Sequence, residues 1–216
     1  MSKIRLCYTQ GEEVKFISHL DFLRTMTRTL RRAELPVKYS EGFNPHMVMT
    51  IGLPLSVGTT SVCDCLDVEF TVDMDTEEIK ERINSCTPRG IYVREVKKAE
   101  GLKPLFQIDS ALYETSFTTD VSIDVNEYIQ KDEILIEKKS KRKINEVNIK
   151  DFIRNIGISS SDGVNHKLML HINAGNFSNL KPELVIKSME SFFGCTATNI
   201  KIERKEIYFD DMTKVF

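Results

Sequence analysis

FISHLDFLRTMTRTLRRAELPVKYSEGFNPH, residues 16–46, holds the clearest helical pattern in the chain, two of its four histidines and its densest arginine cluster. Ser18 is placed as an N-cap and Asp21 as its partner at the third helical position, a capping box with Asp in place of Glu. From there a 3.6-residue period puts Leu20, Leu23, Met26, Thr27, Leu30 and Ala33 on one arc, with Phe22 at its edge. Arg24, Arg28, Arg31 and Arg32 gather on the other side. Pro36 helps to end the helix, because the residue before a proline is pushed towards extended geometry. The spacing therefore predicts a helix over 18–33, laid on a sheet through its leucines. His19 falls on the apolar arc and is expected to point into the domain.

The loop that follows, Gly42-Phe43-Asn44-Pro45-His46, is punctuated for a tight shape. Gly permits positive φ, Asn tolerates it and Pro fixes its own φ. Such a loop presents Phe43, Asn44 and His46 in fixed directions. Two arrangements are open. If residues 37–40 form a strand ending beside the start of the helix, His19 and His46 meet; if the strand begins at His46, they lie at opposite ends. The expectation adopted is one anion or nucleotide site made of Ser18, His19, Asp21, Gly42, Phe43, Asn44 and His46. The plainer alternative makes Phe43 a core plug and His46 an ordinary strand residue.

Working outward, Ile4, Leu6 and Tyr8 alternate with Arg5, Cys7 and Thr9 as a half-buried strand. Residues 47–53 and 61–71 are further strands, 76–85 a short helix with an acidic first turn, and 91–96 a strand. The order β-α-β-β-α-β is that of a ferredoxin-like domain. In the third strand Val62, Leu66, Val68 and Phe70 share one face. Cys63, Cys65, Asp67 and Glu69 share the other, where Cys7 joins them. The second half repeats the order less cleanly: strands near 112–118, 134–138, 166–172 and 200–209, helices near 124–129 and 181–192, and a flexible loop at Gly157–Gly163. The fold class expected is α+β, two tandem ferredoxin-like domains with antiparallel sheets. Their ranges are 1–99 and 104–216, divided in the KKAEGLK segment at Lys97–Lys103.

A chain of 216 residues is long enough for two such domains of about 100 residues each. Hydrophobic residues at 41% and charged residues at 29% describe a globular protein, with no apolar run of the 18 or more residues that span a bilayer. The N-terminal MSKIRLCYTQ is no signal peptide, so a cytoplasmic location is expected. Five cysteines without a CxxC pair indicate neither a disulfide framework nor a zinc ribbon. A net charge of −2 argues against a general nucleic-acid coat protein, so any polyanion binding must rest on local patches. Two are present. Arg24, Arg28 and Arg31 form a ridge about 10 Å long at 1.5 Å per residue, and Lys139, Lys141, Arg142 and Lys143 form a basic run. His166 and His171 carry no surrounding motif and are expected to be structural.

FISHLD, RTLRRAELP, YSEGFNPH and the LPLSVG that follows resemble the radical-SAM-linked protein family, a domain of unknown function found alone or at the C-terminus of cobalamin-binding-type radical SAM proteins. The likeness is dense over residues 3–72 and continues thinly through 139–156 and 200–209. It implies a radical SAM partner, and the family's frequent gene neighbours imply a link to RNA or ribosomes. Without a CxxxCxxC triad this chain is expected to hold no iron–sulfur cluster, and no cofactor or metal is assigned to it. The first expectation is therefore a non-catalytic module that binds RNA or presents substrate to a separate radical SAM enzyme. The runner-up is an RNA-processing enzyme similar to the tandem ferredoxin-like endonucleases of CRISPR systems, with His19 or His46 as general base. A third reading is an adaptor whose arginines face an acidic protein surface.

Overall fold

The computed structural model describes residues 2–139 and 144–216. It is an α+β fold of antiparallel strands, divided into two compact units: Met1–Ile108 with Glu206–Phe216, and Asp109–Lys205. Among the described residues no helix is long and apolar enough to cross a membrane.

The first unit contains β1 (Ser2–Gln10), α1 (His19–Arg32), β2 (Met49–Ile51), β3 (Thr60–Phe70), α2 (Thr76–Cys86) and β4 (Ile91–Lys98). β4 pairs with β1, β1 with β3 and β3 with β2, all antiparallel, which is the 4-1-3-2 order of a ferredoxin-like sheet. Strand alternation sends Ile4, Leu6, Tyr8, Leu66, Val68 and Phe70 to the helix side, where Phe22, Met26, Leu30, Ile79 and Ile83 complete one core. Each such buried side chain contributes about 1.5–3 kcal/mol.

The roll of α1 differs from the periodic reading. Phe22 is its central buried residue, stacked on Tyr8 with ring centroids 5.1 Å apart and an interplanar angle of 17°. Leu23 and Thr27 are half-buried, and Leu20 is 61% exposed. The reason is volume: a stacked aromatic pair buries more area than Leu20 does, so the helix turns Phe22 inward and Leu20 outward.

The other face of β3 is also buried. Cys63 and Cys65 pack with Leu105, Ile108, Ile207, Phe209 and Val215 in a second core, all within the first unit. Cys7 lies opposite Cys65 in the strand pairing, and burial pushes its thiol up to about 11. Gly52 is needed here, since a Cβ on it would lie 2.6 Å from the Cys65 sulfur. Arg5 sits directly opposite Asp67 and forks onto it, Nε to Oδ1 at 2.7 Å and Nη2 to Oδ2 at 3.1 Å. The same Nη2 donates to the Lys103 carbonyl at 2.8 Å, and Lys103 pairs with Asp210 and Asp211. These bonds hold the KKAEGLK segment inside the first unit, so the division falls at Ile108/Asp109 and not at Lys97–Lys103.

The second unit is built from β5 (Ile108–Thr119), α3 (Val125–Ile129), β6 (Leu135–Lys139), β7 (Ile144–Asn148), β8 (Ile153–Ser161), β9 (Asn165–Asn173), α4 (Pro182–Phe193) and β10 (Ala197–Phe209, whose last four residues belong to the first unit). The sheet order β10-β5-β9-β8 repeats the ferredoxin-like arrangement. Two expectations change. The strand near 134–138 pairs with β7 as a separate hairpin and does not enter the sheet. The expected loop at Gly157–Gly163 is largely strand β8, with Ile153, Ile156 and Ile158 opposite Ile172, Leu170 and Leu168. Its Gly and Ser content hides a period-two pattern. Lys141, Arg142 and Lys143 lie outside the described residues, and Lys139 ends the backbone of β6.

His166 is buried, with Thr119 Oγ1 at 3.2 Å from Nε2 and Ser161 Oγ at 3.0 Å from Nδ1. Burial lowers its pKa below 6.5, as it does for His171.

Phe22→Ala is expected to lower stability by about 3–5 kcal/mol in urea denaturation, while Leu20→Ala shifts it by no more than about 0.5 kcal/mol. Equal effects would contradict the roll of α1. The histidines give a pH dependence. Because their folded pKa lies below the unfolded value, the unfolded chain binds protons first as pH falls through 6.5. Urea midpoints should therefore fall on acidification below about pH 6.5, and His166→Asn should flatten that slope. A flat profile in the parent protein would refute it.

Candidate functional site

Extended backbone at Ser18 (φ −73°, ψ 160°) starts α1, and its Oγ accepts the Asp21 N–H at 3.2 Å. The expected reciprocal bond differs: Ser18 Oγ itself donates to Asp21 Oδ2 at 2.7 Å, the shorter Asp meeting the cap's hydroxyl. Asp21 Oδ1 accepts from Arg24 Nη1 at 2.9 Å, and Ser18 first, then Arg24, holds the Asp21 carboxyl below its usual range.

His19 is exposed and does not enter the core, a consequence of the same roll of α1. It lines a recess with Ser18, Tyr8, Phe22 and residues Pro54, Leu55 and Ser56. The cavity volume is about 10 Å³, room for one water. A nucleotide base does not fit inside it, so His19 is a rim residue.

The Gly42–His46 loop is a separate feature. Tyr39 bridges Met47, and three Ser40–His46 hydrogen bonds close the neck: Ser40 N–H to the His46 carbonyl at 2.8 Å, His46 N–H to Ser40 Oγ at 3.1 Å, and Ser40 Oγ with His46 Nδ1 at 2.9 Å. Gly42 takes φ 116°, a conformation that excludes other residues even though the space beside it is open. Phe43 and Asn44 project at the tip, Phe43 fully exposed.

The expected single site is thus two. Lys38 and Val48, which flank the loop, bond to Glu69 near the end of β3, whereas Tyr8 at the recess pairs with Asp64 nearer its start. Five residues of strand separate them, roughly 16 Å at 3.3 Å per residue. None of the loop lines the recess. The two histidines lie apart, as in the second arrangement left open by the sequence, although β2 begins at Met49 and not at His46.

The arginines divide as well. Arg24 is paired with Asp21, and Arg32 donates to the Cys86 carbonyl at the end of α2 at 2.5 Å. The side chains of Arg28 and Arg31 are exposed and have no hydrogen-bond or ion-pair partner among the described residues. Three large apolar side chains around the start of α1 are also exposed: Leu20, expected in the core, and Phe16 and Val57, to which the sequence reading gave no role, by 61%, 73% and 57%. A signal was available. Ile17 before the cap and Phe22 at the fourth helical position are the two ends of a hydrophobic staple, and both join the same core. That pairing fixes Phe22 inward and leaves Leu20 outside. Among the described residues no three His, Cys, Asp or Glu side chains form a group able to hold a metal ion.

Ser40→Ala is expected to speed chymotryptic cleavage after Phe43 while leaving the melting temperature unchanged, because it opens the loop neck without touching the core. An unaltered cleavage rate would show that the neck bonds do not hold the loop.

Two solved structures are similar. A chain of a Cbf5–Nop10–Gar1 complex aligns with 95% of this chain at 10% identity and a TM-score of 0.48, and this chain spans about half of it, 48%. A protein of unknown function from Galdieria sulphuraria aligns over 94% of this chain and 98% of its own, at 12% identity and a TM-score of 0.28. No curated protein sequence matches significantly. A family model does match, and it covers residues 3–182, most of the ferredoxin-like pair described above: the chain belongs to the family described as "Uncharacterized protein conserved in bacteria (DUF2344)".

Proposed function

We propose that this protein is a non-catalytic accessory module that binds RNA through the outer face of α1 and serves a separate radical SAM enzyme. The observation that carries the RNA part is the state of Arg28 and Arg31, exposed on one helix face without an anionic partner among the described residues. Like charges three residues apart on a helix repel by a few tenths of a kcal/mol, a repulsion that an anion meeting both would relieve. Guanidinium forks match phosphate oxygens in shape and charge. The enzyme partner rests on the resemblance of the FISHLD, YSEGFNPH and LPLSVG segments to the radical-SAM-linked family.

The test is fluorescence anisotropy with labelled RNA across a salt series. Arg28→Glu with Arg31→Glu should keep the parent melting temperature, since both side chains are exposed. Affinity should fall at least tenfold, and the slope of log K against log salt should flatten by about two, one per lost phosphate contact. Unchanged affinity, or binding insensitive to salt, would overturn the proposal. RNA cleavage abolished by His19→Ala would make the protein an enzyme instead.

A further inference from the structure

We infer that the RNA taken by this face is single-stranded, with a base stacked on Phe16 and its phosphates following the arginines of α1. The inference rests on the RNA-binding reading above and names its substrate class. It begins from spacing. Leu20, Arg24, Arg28 and Arg31 lie at i, i+4, i+8 and i+11, so at 100° per residue they fall within about 80° of one another around the helix. They form one outward strip with a rise of about 16 Å at 1.5 Å per residue. Its N-terminal end is apolar, with Leu20 61% exposed and Phe16 73% exposed; Arg24, paired with Asp21, follows, and then the exposed Arg28 and Arg31.

Phe16 is held in place, not left loose. The Ile17 N–H donates to the Val14 carbonyl at 3.1 Å, and the Gly58 N–H donates to the Lys15 carbonyl at 2.7 Å, which fixes the backbone on both sides of Phe16. Gly58, at φ 91°, brings the 54–60 turn against one edge of the ring. Lys15 Nζ stands 5.1 Å from the ring centroid and is itself held by Glu12 at 2.7 Å. A large aromatic side chain is thus ordered by its surroundings and still offers most of its surface to a ligand.

A ligand that satisfies the whole strip must carry a flat apolar group at one end and a row of negative charges along the rest. A nucleic-acid duplex supplies the charges, but its bases are stacked on one another and have no free face for Phe16. An unpaired strand supplies both, because its bases can splay out onto an aromatic ring.

The experiment compares an unstructured 12-nucleotide RNA with the blunt duplex of the same sequence, by anisotropy, on the full chain. The parent protein should prefer the single strand. Phe16→Ala should weaken single-strand binding by about five- to a hundred-fold, the range for one lost base stack, leave duplex binding unchanged, and be rescued by Phe16→Trp. The Arg28→Glu/Arg31→Glu variant should lose both ligands. Equal affinity for the two RNAs, or a Phe16→Ala variant that weakens neither or both alike, would overturn the single-strand inference while arginine-dependent binding keeps the proposed function standing. Failure of the parent protein to bind either RNA would remove the proposed function and this inference with it.

Discussion

The stack of Phe22 on Tyr8 sets the orientation from which the features of the first unit follow. It fixes the roll of α1, and a 14-residue helix has no independent freedom once one large side chain is locked. With Phe22 inward, Met26 and Leu30 follow at helical spacing and fill the space over β1 and β3. Leu20, Arg24, Arg28 and Arg31 are then carried outward together, and His19 moves to the surface. The cationic strip is the other side of a packing decision made in the core.

Three cations show how differently the same side chain is used. Arg82 on α2 donates from Nε to the Ala33 carbonyl at 2.9 Å and from Nη2 to that of Glu34 at 2.7 Å, closing the C-terminus of α1. Arg32 on α1 returns the contact at the Cys86 carbonyl of α2. Each helix therefore places a positive charge on the unpaired carbonyls at the negative end of the other, where it is favoured. Arg5 is wholly buried, where an unpaired charge would cost several kcal/mol. Its fork onto Asp67 and the Lys103 carbonyl offsets most of that cost, with Nη1 left unbonded among the described residues, and ties the 97–103 segment to β1. Arg31 also lies in the last turn of α1, but neither its side chain nor that of Arg28 makes such a bond among the described residues.

What the sequence made legible is what depends on near neighbours. The order of elements in the first unit, the Ser18 cap, the halt before Pro36 and the constrained Gly42–His46 loop all follow from residues within a few positions of each other. The roll of α1 was misjudged because a hydrophobic arc weighs Leu20 and Phe22 alike, and only their partner across the sheet, Tyr8, tells them apart. β8 was missed because Gly157 and its serines suppress the strand signal that Ile153, Ile156 and Ile158 carry. The division of the chain was misplaced because the bonds of Lys103 to Arg5 and Asp211 span about a hundred residues. Whether His19 and His46 met depended on strand pairing: Lys38 and Val48 both bond to Glu69, a contact no local pattern encodes.

The separation of the two histidines changes what chemistry the first unit can support. A general acid–base pair needs both groups within hydrogen-bond reach of one substrate, and these lie at different levels of β3. His46 has Nδ1 engaged by Ser40, so its visible role is to close a loop. His19 stands at a recess that admits one water, beside an exposed aromatic and a strip of arginines. The recess and the strip offer contact area, apolar surface and fixed positive charge side by side. The proposed role of holding RNA asks of this face only contact area and fixed positive charge, which Phe16, Arg28 and Arg31 offer without either histidine acting on a bond.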